Sequence, residues 1–460
     1  MKWLRKNREI YKAAVRLALP IGLQSLVALS VNLVDTVMVG RLGETSLSAV
    51  SLANQFITTY QASCLGIGMG ASVLISRFYG GRDMDGVKKT VTVMLRLVIL
   101  FGLAFTVVTA AAPGFLMRIY TAEAAIIREG RAYLRVSAFC YIIHGVTLTA
   151  TLTLRSVGKS RIPMFSSIIA FLINLAGNFA FIYGKSGLPS MGVTGAALST
   201  LLARVFEFAF VAGYLFFGDK TVGYRLRDIF GKCSAITGEY FRIGLPVFAG
   251  ETLLAVGNNV LAMVMGRIGA AFVSANAIAT VTQQLSTVLL QGFSQSACIL
   301  VGQLLGRSEE QKAVRTAQVM MRLGLYIGLA GSILILSSAD FVISVYQVTE
   351  ETAAIAKQLL RVTALIVIFQ SVDSVLTKGV LRGGGDTHFL LLIDTLFLWI
   401  LSVPLGAMAG LAWRLPAFLV YFFLKIDRIC SCVLCIWRLK SGKWIHELGQ
   451  EQTTAQQNSE

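Results

Sequence analysis

Apolar residues in this chain come in long unbroken runs. They show neither the two-residue alternation of a half-buried strand nor the one-sided stripe of a surface helix. About twelve of these runs are long enough to cross a hydrocarbon layer of roughly 30 Å. They lie near residues 15–39, 50–79, 92–112, 133–153, 163–184, 192–216, 240–265, 275–304, 318–337, 356–381, 388–411 and 416–437. Barrel strands alternate and need only about ten residues, so runs this long and continuous exclude them. The pattern predicts an all-α integral membrane protein with twelve transmembrane helices, because a helix satisfies its own backbone hydrogen bonds inside a bilayer.

The pattern is also written twice. Residues 16–104 match residues 242–330 at a constant offset of 226 with no gap, and 23 of the 89 pairs are identical. Among them are Arg16/Arg242, Pro20/Pro246, Asn32/Asn258, Gly40/Gly266, Gly43/Gly269 and Gly66/Gly292. A period this long is a duplicated half-protein, not a solenoid or a coiled coil. Six helices per half return the chain to the side on which it started. The two six-helix bundles are therefore expected to be parallel repeats, related by a pseudo-two-fold axis along the membrane normal, as in some transporters. The expected organisation is an N-lobe over 1–217, a cytoplasmic linker over 218–239, a C-lobe over 240–448 and a polar tail over 449–460.

Composition agrees with the membrane assignment. The chain is 55% hydrophobic and 14% charged, against about 25% charged in ordinary soluble domains, and its mean hydropathy is +0.70. The net charge of +17 would suit a nucleic-acid binder, but its placement argues otherwise. Basic residues crowd the N-terminus and alternate connections: Lys2, Arg5, Lys6, Arg8 and Lys12, then Arg82, Lys88 and Lys89, then Arg155, Lys159 and Arg161. Lys220, Arg225, Arg227 and Lys232 follow, then Arg307, Lys312 and Arg315, and finally Arg438, Lys440 and Lys443. The intervening connections hold far fewer, among them Arg41, Arg118, Lys185 and Arg267. This is the positive-inside asymmetry, and it predicts that both termini are cytoplasmic. A nucleic-acid surface needs a contiguous basic face, so no such partner is expected. The basic start resembles a signal peptide, but the apolar run continues to Val39 without a small-residue cleavage site and reads as a retained first helix.

The chain shows no catalytic or nucleotide-binding pattern. Cys430, Cys432 and Cys435 form a C-x-C-x-x-C run inside the last apolar segment. On a helix, positions i and i+2 point to different faces, so these cysteines read as apolar filler and not as metal ligands. His144, His388 and His446 are scattered, without a metal-ligand spacing. Gly383, Gly384 and Gly385 follow an apolar helix, not a strand, and lack the lysine of a phosphate loop. Neither an enzyme nor a cofactor is expected, and uphill transport would have to draw on an ion gradient.

Acidic residues in apolar segments stand out instead, since a carboxylate at the bilayer centre costs about 2.5 to 3.5 kcal/mol. The candidates are Asp35, Glu207, Glu251, Asp373, Asp394 and Asp427. Arg204 lies one turn from Glu207 and predicts a local ion pair. Asp427 lies beside Lys425 and Arg428. Asp35 has no Lys or Arg three or four residues away, so its partners must come from other helices or from water. Asn174 and Asn178, at i and i+4 on one face of the fifth segment, and Thr200 on the sixth are the expected partners. They read as interhelical hydrogen-bond glue. With Asp35 they also read as oxygen ligands for a hard cation such as Na⁺, or as the surroundings of a carboxylate that carries a proton. Glu251 and Asp373 form a second tier, possible only as C-lobe ion or substrate acids. The repeat pairs Glu251 with Ser25 and Asp35 with Leu261, so the ion chemistry of the halves is not duplicated.

Several of these stretches resemble a known family in combination. They are Pro20 with the stretch 34–43, Asn174 and Asn178 ahead of Phe181-Ile182-Tyr183-Gly184, and the Gly192-Val193-Thr194-Gly195 entry to the sixth segment. With them go Leu381-Arg382-Gly383-Gly384-Gly385-Asp386-Thr387 and the ending Arg438-Leu439-Lys440-Ser441-Gly442-Lys443-Trp444. Together they closely resemble the MATE (multidrug and toxic compound extrusion) family, in particular its bacterial NorM-like and DinF-like branches, over nearly the whole chain. The resemblance implies a two-lobed, monomeric antiporter of the plasma membrane, whose partners are small organic substrates and the bilayer. Such proteins export bulky, often cationic compounds in exchange for Na⁺ or H⁺, by rocking between inward-open and outward-open states. It implies that Asp35 is the first-helix acid of an N-lobe cation site, with Asn174, Asn178 and Thr200 around it. Asn178 stands where the DinF-like branch often has Asp. Glu251 and Asp373 are set at other distances from Pro246 and from the Leu381-Arg382-Gly383 run than the acids of the NorM-like C-lobe. The alternative is a lipid-linked saccharide flippase of the same superfamily. Such flippases usually carry a cationic cavity, whereas the buried charges without a local partner here are mostly acidic.

Overall fold

The computed structural model describes residues 7–184, 190–346 and 348–446, apart from the side chain of Ala235. The expected tail over 449–460, and Lys2, Arg5, Lys6 and Lys185 of the charge count, lie outside the described residues. Among the described residues every element is helical. The first half runs through α1 (Arg8–Gly40), α2 (Glu44–Gly80), α3 (Met84–Ala111), α4 (Pro113–Tyr120), α5 (Ala124–Ser137), α6 (Cys140–Ser156), α7 (Arg161–Tyr183) and α8 (Gly192–Gly213). The second half runs through α9 (Ser234–Ile268), α10 (Ala270–Gly306), α11 (Glu310–Val345), α12 (Glu350–Val375), α13 (Thr387–Leu396), α14 (Val403–Ala407), α15 (Ala417–Leu424) and α16 (Asp427–Ser441).

Ten continuous helical spans among the described residues are long and apolar enough to cross a membrane, and the pair α5–α6 makes an eleventh. That pair is the predicted run near 133–153, bent by 48°. It begins earlier than the apolar pattern because the first turns of α5 carry Arg128 and Arg131. The predicted run near 416–437 is interrupted at Lys425 and Ile426. It forms α15 and α16, of 8 and 15 residues, each too short to span alone. The break has a local cause. The Asp427 amide donates to Ser402 Oγ at 3.0 Å, and Ser402 Oγ donates back to Asp427 Oδ1 at 3.0 Å. This fixes a helix start at Asp427, where a carboxylate favours the N-terminal dipole.

The repeat is visible in the turns. Gly43 precedes α2 with φ 116°, and its mate Gly269 precedes α10 with φ 157°. Few residues other than glycine adopt the first of these conformations.

Two compact units emerge, an N-unit of Leu23–Gly244 and a C-unit of Met1–Gly22 with Leu245–Glu460. Their boundaries fall inside α1 and α9, next to Pro20 and Pro246. Within the C-unit, α10 crosses the start of α1 at Gly292, where a Cβ would stand 2.1 Å from the Ala18 carbonyl oxygen. Within the N-unit, α2 crosses the start of α9 at Gly70, where a Cβ would stand 2.5 Å from Gly244 Cα. Ala18 and Gly244 are mates in the repeat, so a close helix crossing is built in each half, one turn apart along the partner helix, since the mate of Gly292 is Gly66. Small residues allow it, as they do wherever membrane helices pack closely.

The stretch expected to be a linker is pinned to the N-unit. Arg96 donates to the carbonyls of Ile229 at 2.6 and 2.9 Å and of Gly231 at 2.8 Å. Lys159 forms an ion pair with the buried Asp219, whose other oxygen accepts from the Val222 amide at 2.8 Å. Tyr224 shares a 2.9 Å hydrogen bond with Thr92. Burial pushes its phenol up to about 12, so it stays neutral.

Candidate functional site

The register of three helices builds the site within the N-unit. Asp35 of α1 accepts from Asn178 Nδ2 of α7 at 2.5 Å. Eleven residues earlier on both helices, Gln24 Nε2 donates to Ser167 Oγ at 2.8 Å, so α1 and α7 run parallel and in step. On α7 and α8 the order reverses. Asn174 Nδ2 donates to Thr200 Oγ1 at 3.3 Å, and Ser167 Oγ donates to Glu207 Oε1 at 2.7 Å. These two helices are therefore antiparallel, as consecutive spans should be.

The four first-tier residues predicted from sequence come together as one hydrogen-bonded chain. Asn178 Nδ2 bonds both Asp35 and, at 3.3 Å, Asn174 Oδ1. Asn174 then donates to Thr200, whose hydroxyl donates to the Ala196 carbonyl at 3.1 Å. Both asparagines are buried, at 1% and 0% exposure, in an otherwise apolar helix. The Asn178 side-chain oxygen is buried and has no hydrogen-bond partner among the described residues. Asp35 faces a cavity of about 350 Å³ that it shares with Asn54, Tyr133 and Tyr141. Tyr183, at the end of α7, donates to the Met38 carbonyl at 3.0 Å and holds α1 against α7 beside the site.

One carboxylate, two amide oxygens and a hydroxyl suit a proton or a hard monovalent cation better than a transition metal. Among the described residues no group of three or more His, Cys, Asp or Glu side chains is placed to hold a metal ion. The one basic side chain of α8, Arg204, lines the same cavity and donates to Glu207 at 2.8 Å. That is the local pair expected from their spacing.

Glu251 and Asp373 are placed differently. Glu251 accepts from Arg382 Nη2 at 2.9 Å, and that arginine is 5% exposed. Asp373 lies 3.6 Å from Arg428 Nη1 and accepts from Ser431 at 2.6 Å. Arg428 also pairs with Asp427 at 3.2 Å. The two second-tier acids thus form their ion pairs with different arginines of the C-unit.

Sequence reasoning missed part of the N-unit chamber. Arg155, counted above as a loop cation, is the penultimate residue of α6, is 9% exposed, and donates to Gln24 Oε1 at 2.5 Å. It lines a second cavity of about 300 Å³ with Gln24, Ser167 and Glu207. His144, read as one of three scattered histidines, lines both cavities and meets Tyr60 edge-on at 6.2 Å. Only tertiary packing brings these residues together. The one hint in the sequence was that Arg155 follows the apolar run near 133–153 by only two residues.

Repeated sets of membrane-crossing helices, one enclosing a polar chamber, are the architecture of a membrane transporter. The MatE family model matches residues 20–180 and again residues 246–408, the second match starting at the same 226-residue offset as the internal repeat. The chain belongs to the MatE family, and it is a multi-pass transporter, not an enzyme. Among its relatives, a probable multidrug resistance protein NorM of Thermotoga maritima is 24% identical over 436 residues, 95% of this chain and 93% of the relative. The multidrug resistance protein PmpM of Pseudomonas aeruginosa is 26% identical over 418 residues, covering 89% and 85%. Among solved structures, an outward-facing multidrug resistance MATE family transporter of the MOP superfamily matches with a TM-score of 0.86 at 23% identity, covering 94% of this chain and 97% of that one.

Proposed function

We propose that this transporter exports small organic, often cationic, compounds across the plasma membrane in exchange for Na⁺ or H⁺ bound at Asp35. The observation that carries the reading is the chain Asp35–Asn178–Asn174–Thr200, an acid bonded to neutral groups and without an ion pair among the described residues, opening on a cavity. The multidrug relatives support the substrate class. A substrate and an ion that compete for one carboxylate are coupled by linkage, since each lowers the apparent affinity for the other. Alternating access by rocking of the two halves would then carry them in opposite directions. The working unit is a monomer, with both termini and the 218–239 segment in the cytoplasm.

Dye efflux in everted membrane vesicles tests this reading, with a Na⁺ or an H⁺ gradient imposed alone. One of the two should drive uptake of a cationic dye into the vesicles, and indifference to both would remove the antiport reading. For topology, a cysteine introduced at Lys232 should resist membrane-impermeant labelling from outside intact cells. Labelling there would reverse the orientation.

A further inference from the structure

We infer that the segment 217–232 is a lipid-docking platform, which seats on the bilayer surface and binds the headgroups of anionic phospholipids. The inference is independent of the export reading above and needs only α3 as a membrane span. Depth comes from register. Thr92 shares a hydrogen bond with Tyr224 at 2.9 Å and donates to the Asp228 carbonyl at 3.1 Å. One turn further along α3, Arg96 holds the carbonyls of Ile229 and Gly231. Thr92 and Arg96 stand at the start of the apolar run near 92–112. From Arg96 an exposed stripe on one face of α3 continues through Leu100, Leu103 and Val107, at spacings of four, three and four. The short helix Leu226–Phe230 is therefore tied to the level where that stripe leaves the hydrocarbon for the headgroups.

The platform exposes apolar and basic side chains together. Phe230 is 86% exposed, Phe217 81% and Leu226 49%, on a backbone that the bonds to Thr92 and Arg96 hold in place. Large apolar side chains displayed this way mark a surface that something covers. Lys220, Arg225, Arg227 and Lys232 are exposed beside them. The two acids of the segment are engaged within it. Asp219 is buried against Lys159, and Asp228 accepts from the Arg225 amide at 2.9 Å and lies 3.9 Å from both Lys88 and Arg227. The surplus charge is therefore positive. Basic residues set among Phe and Leu at a bilayer surface fit anionic lipid, with the cations at the phosphates and the apolar side chains at the acyl boundary below. A nucleic acid would match the charges and leave the rings in water, and an apolar protein partner would leave the charges unmatched.

Native mass spectrometry of the full-length protein in detergent, titrated with phosphatidylglycerol or phosphatidylcholine, counts the lipids retained. Each basic residue at an anionic surface is worth about fivefold in affinity, so the wild type should prefer phosphatidylglycerol at least tenfold. Arg225→Gln with Arg227→Gln and Lys232→Gln should cut that preference at least fivefold. Arg307→Gln with Lys440→Gln and Lys443→Gln removes three exposed cations elsewhere and should leave it within twofold. Phe217→Ser with Phe230→Ser should weaken both lipids and keep the preference between them. Equal retention of the two lipids by the wild type, or equal effects of the two triple variants, would overturn the inference. So would full displacement of phosphatidylglycerol by equimolar sn-glycerol 3-phosphate, which would make this a phosphate site with no use for acyl chains.

A second arm needs no substitution and so does not depend on any variant folding. Hydrogen–deuterium exchange of the wild-type protein is compared in nanodiscs of phosphatidylglycerol and of phosphatidylcholine. The backbone amides of 224–231 should exchange at least threefold more slowly in the anionic lipid. The turn at Arg307 and Ser308, exposed but without large apolar side chains, should not share that slowing. Equal exchange of 224–231 in the two lipids, or the same slowing at both places, would contradict a specific platform.

Discussion

Asp35→Asn is expected to reach the membrane in wild-type amount and to lose gradient-driven dye efflux by at least tenfold. The substitution keeps the size of the side chain and an oxygen that can accept from Asn178, which now bonds Asp35 at 2.5 Å. It removes the one charge in the Asp35–Asn178–Asn174–Thr200 chain. The fold does not need that charge: no ion pair among the described residues holds Asp35, and an ionised carboxylate in the bilayer costs about 2.5 to 3.5 kcal/mol that the asparagine does not. Arg204 stays paired with Glu207 in the variant, so no buried cation loses its partner. Expression, thermal stability and efflux measured on the same preparation check this, and efflux at the wild-type rate would refute the site.

Glu251→Gln is expected to do the opposite, lowering stability while sparing transport by the protein that folds. Arg382 is 5% exposed and its Nη2 donates to Glu251 at 2.9 Å. Its Nε and Nη1 are buried without hydrogen-bond partners among the described residues, and Glu251 is the acid it forms an ion pair with. Breaking a buried pair by removing one partner costs about 3–5 kcal/mol, whereas removing both is often close to neutral. Glu251→Gln should therefore lower the melting temperature by several degrees in detergent, and Glu251→Gln with Arg382→Gln should recover most of the loss. A non-additive double-mutant cycle of this kind is the signature of a direct pair. Full stability in the single variant, with efflux abolished, would make Glu251 a coupling residue instead. Asp373→Asn should cost less, because Arg428 keeps its 3.2 Å pair with Asp427.

The contrast between these two acids shows what sequence could read. Asp35 was legible because local spacing settles the question: no basic residue lies within helical reach, and a carboxylate in apolar surroundings needs a reason to be there. Asn174 and Asn178 were legible because an i, i+4 pair of amides shares one face of a helix. Glu251 and Asp373 looked equally unaccompanied. Their arginines, however, come from positions 131 and 55 residues away, and no periodicity encodes a distance of that kind. Arg155 failed for the same reason, as it sits near the end of an apolar run where a loop cation and a buried helical one look alike. Helix breaks were hidden as well. The run near 416–437 has no proline or glycine beyond Pro416, and it is interrupted by the bonds of Asp427 to Ser402, residues 25 positions apart. The duplication, by contrast, was fully visible, because a shared fold preserves spacing even where residue identities have drifted.

Ion release on substrate binding tests the central claim most directly. Purified transporter in lipid nanodiscs is mixed with a cationic dye in weakly buffered solution, and both the pH and free Na⁺ are followed. If Asp35 is the carboxylate for which ion and substrate compete, the wild-type protein releases about one H⁺ or Na⁺ for each dye bound, and Asp35→Asn releases none. Equal release from the two proteins would place the coupling ion elsewhere and contradict the account.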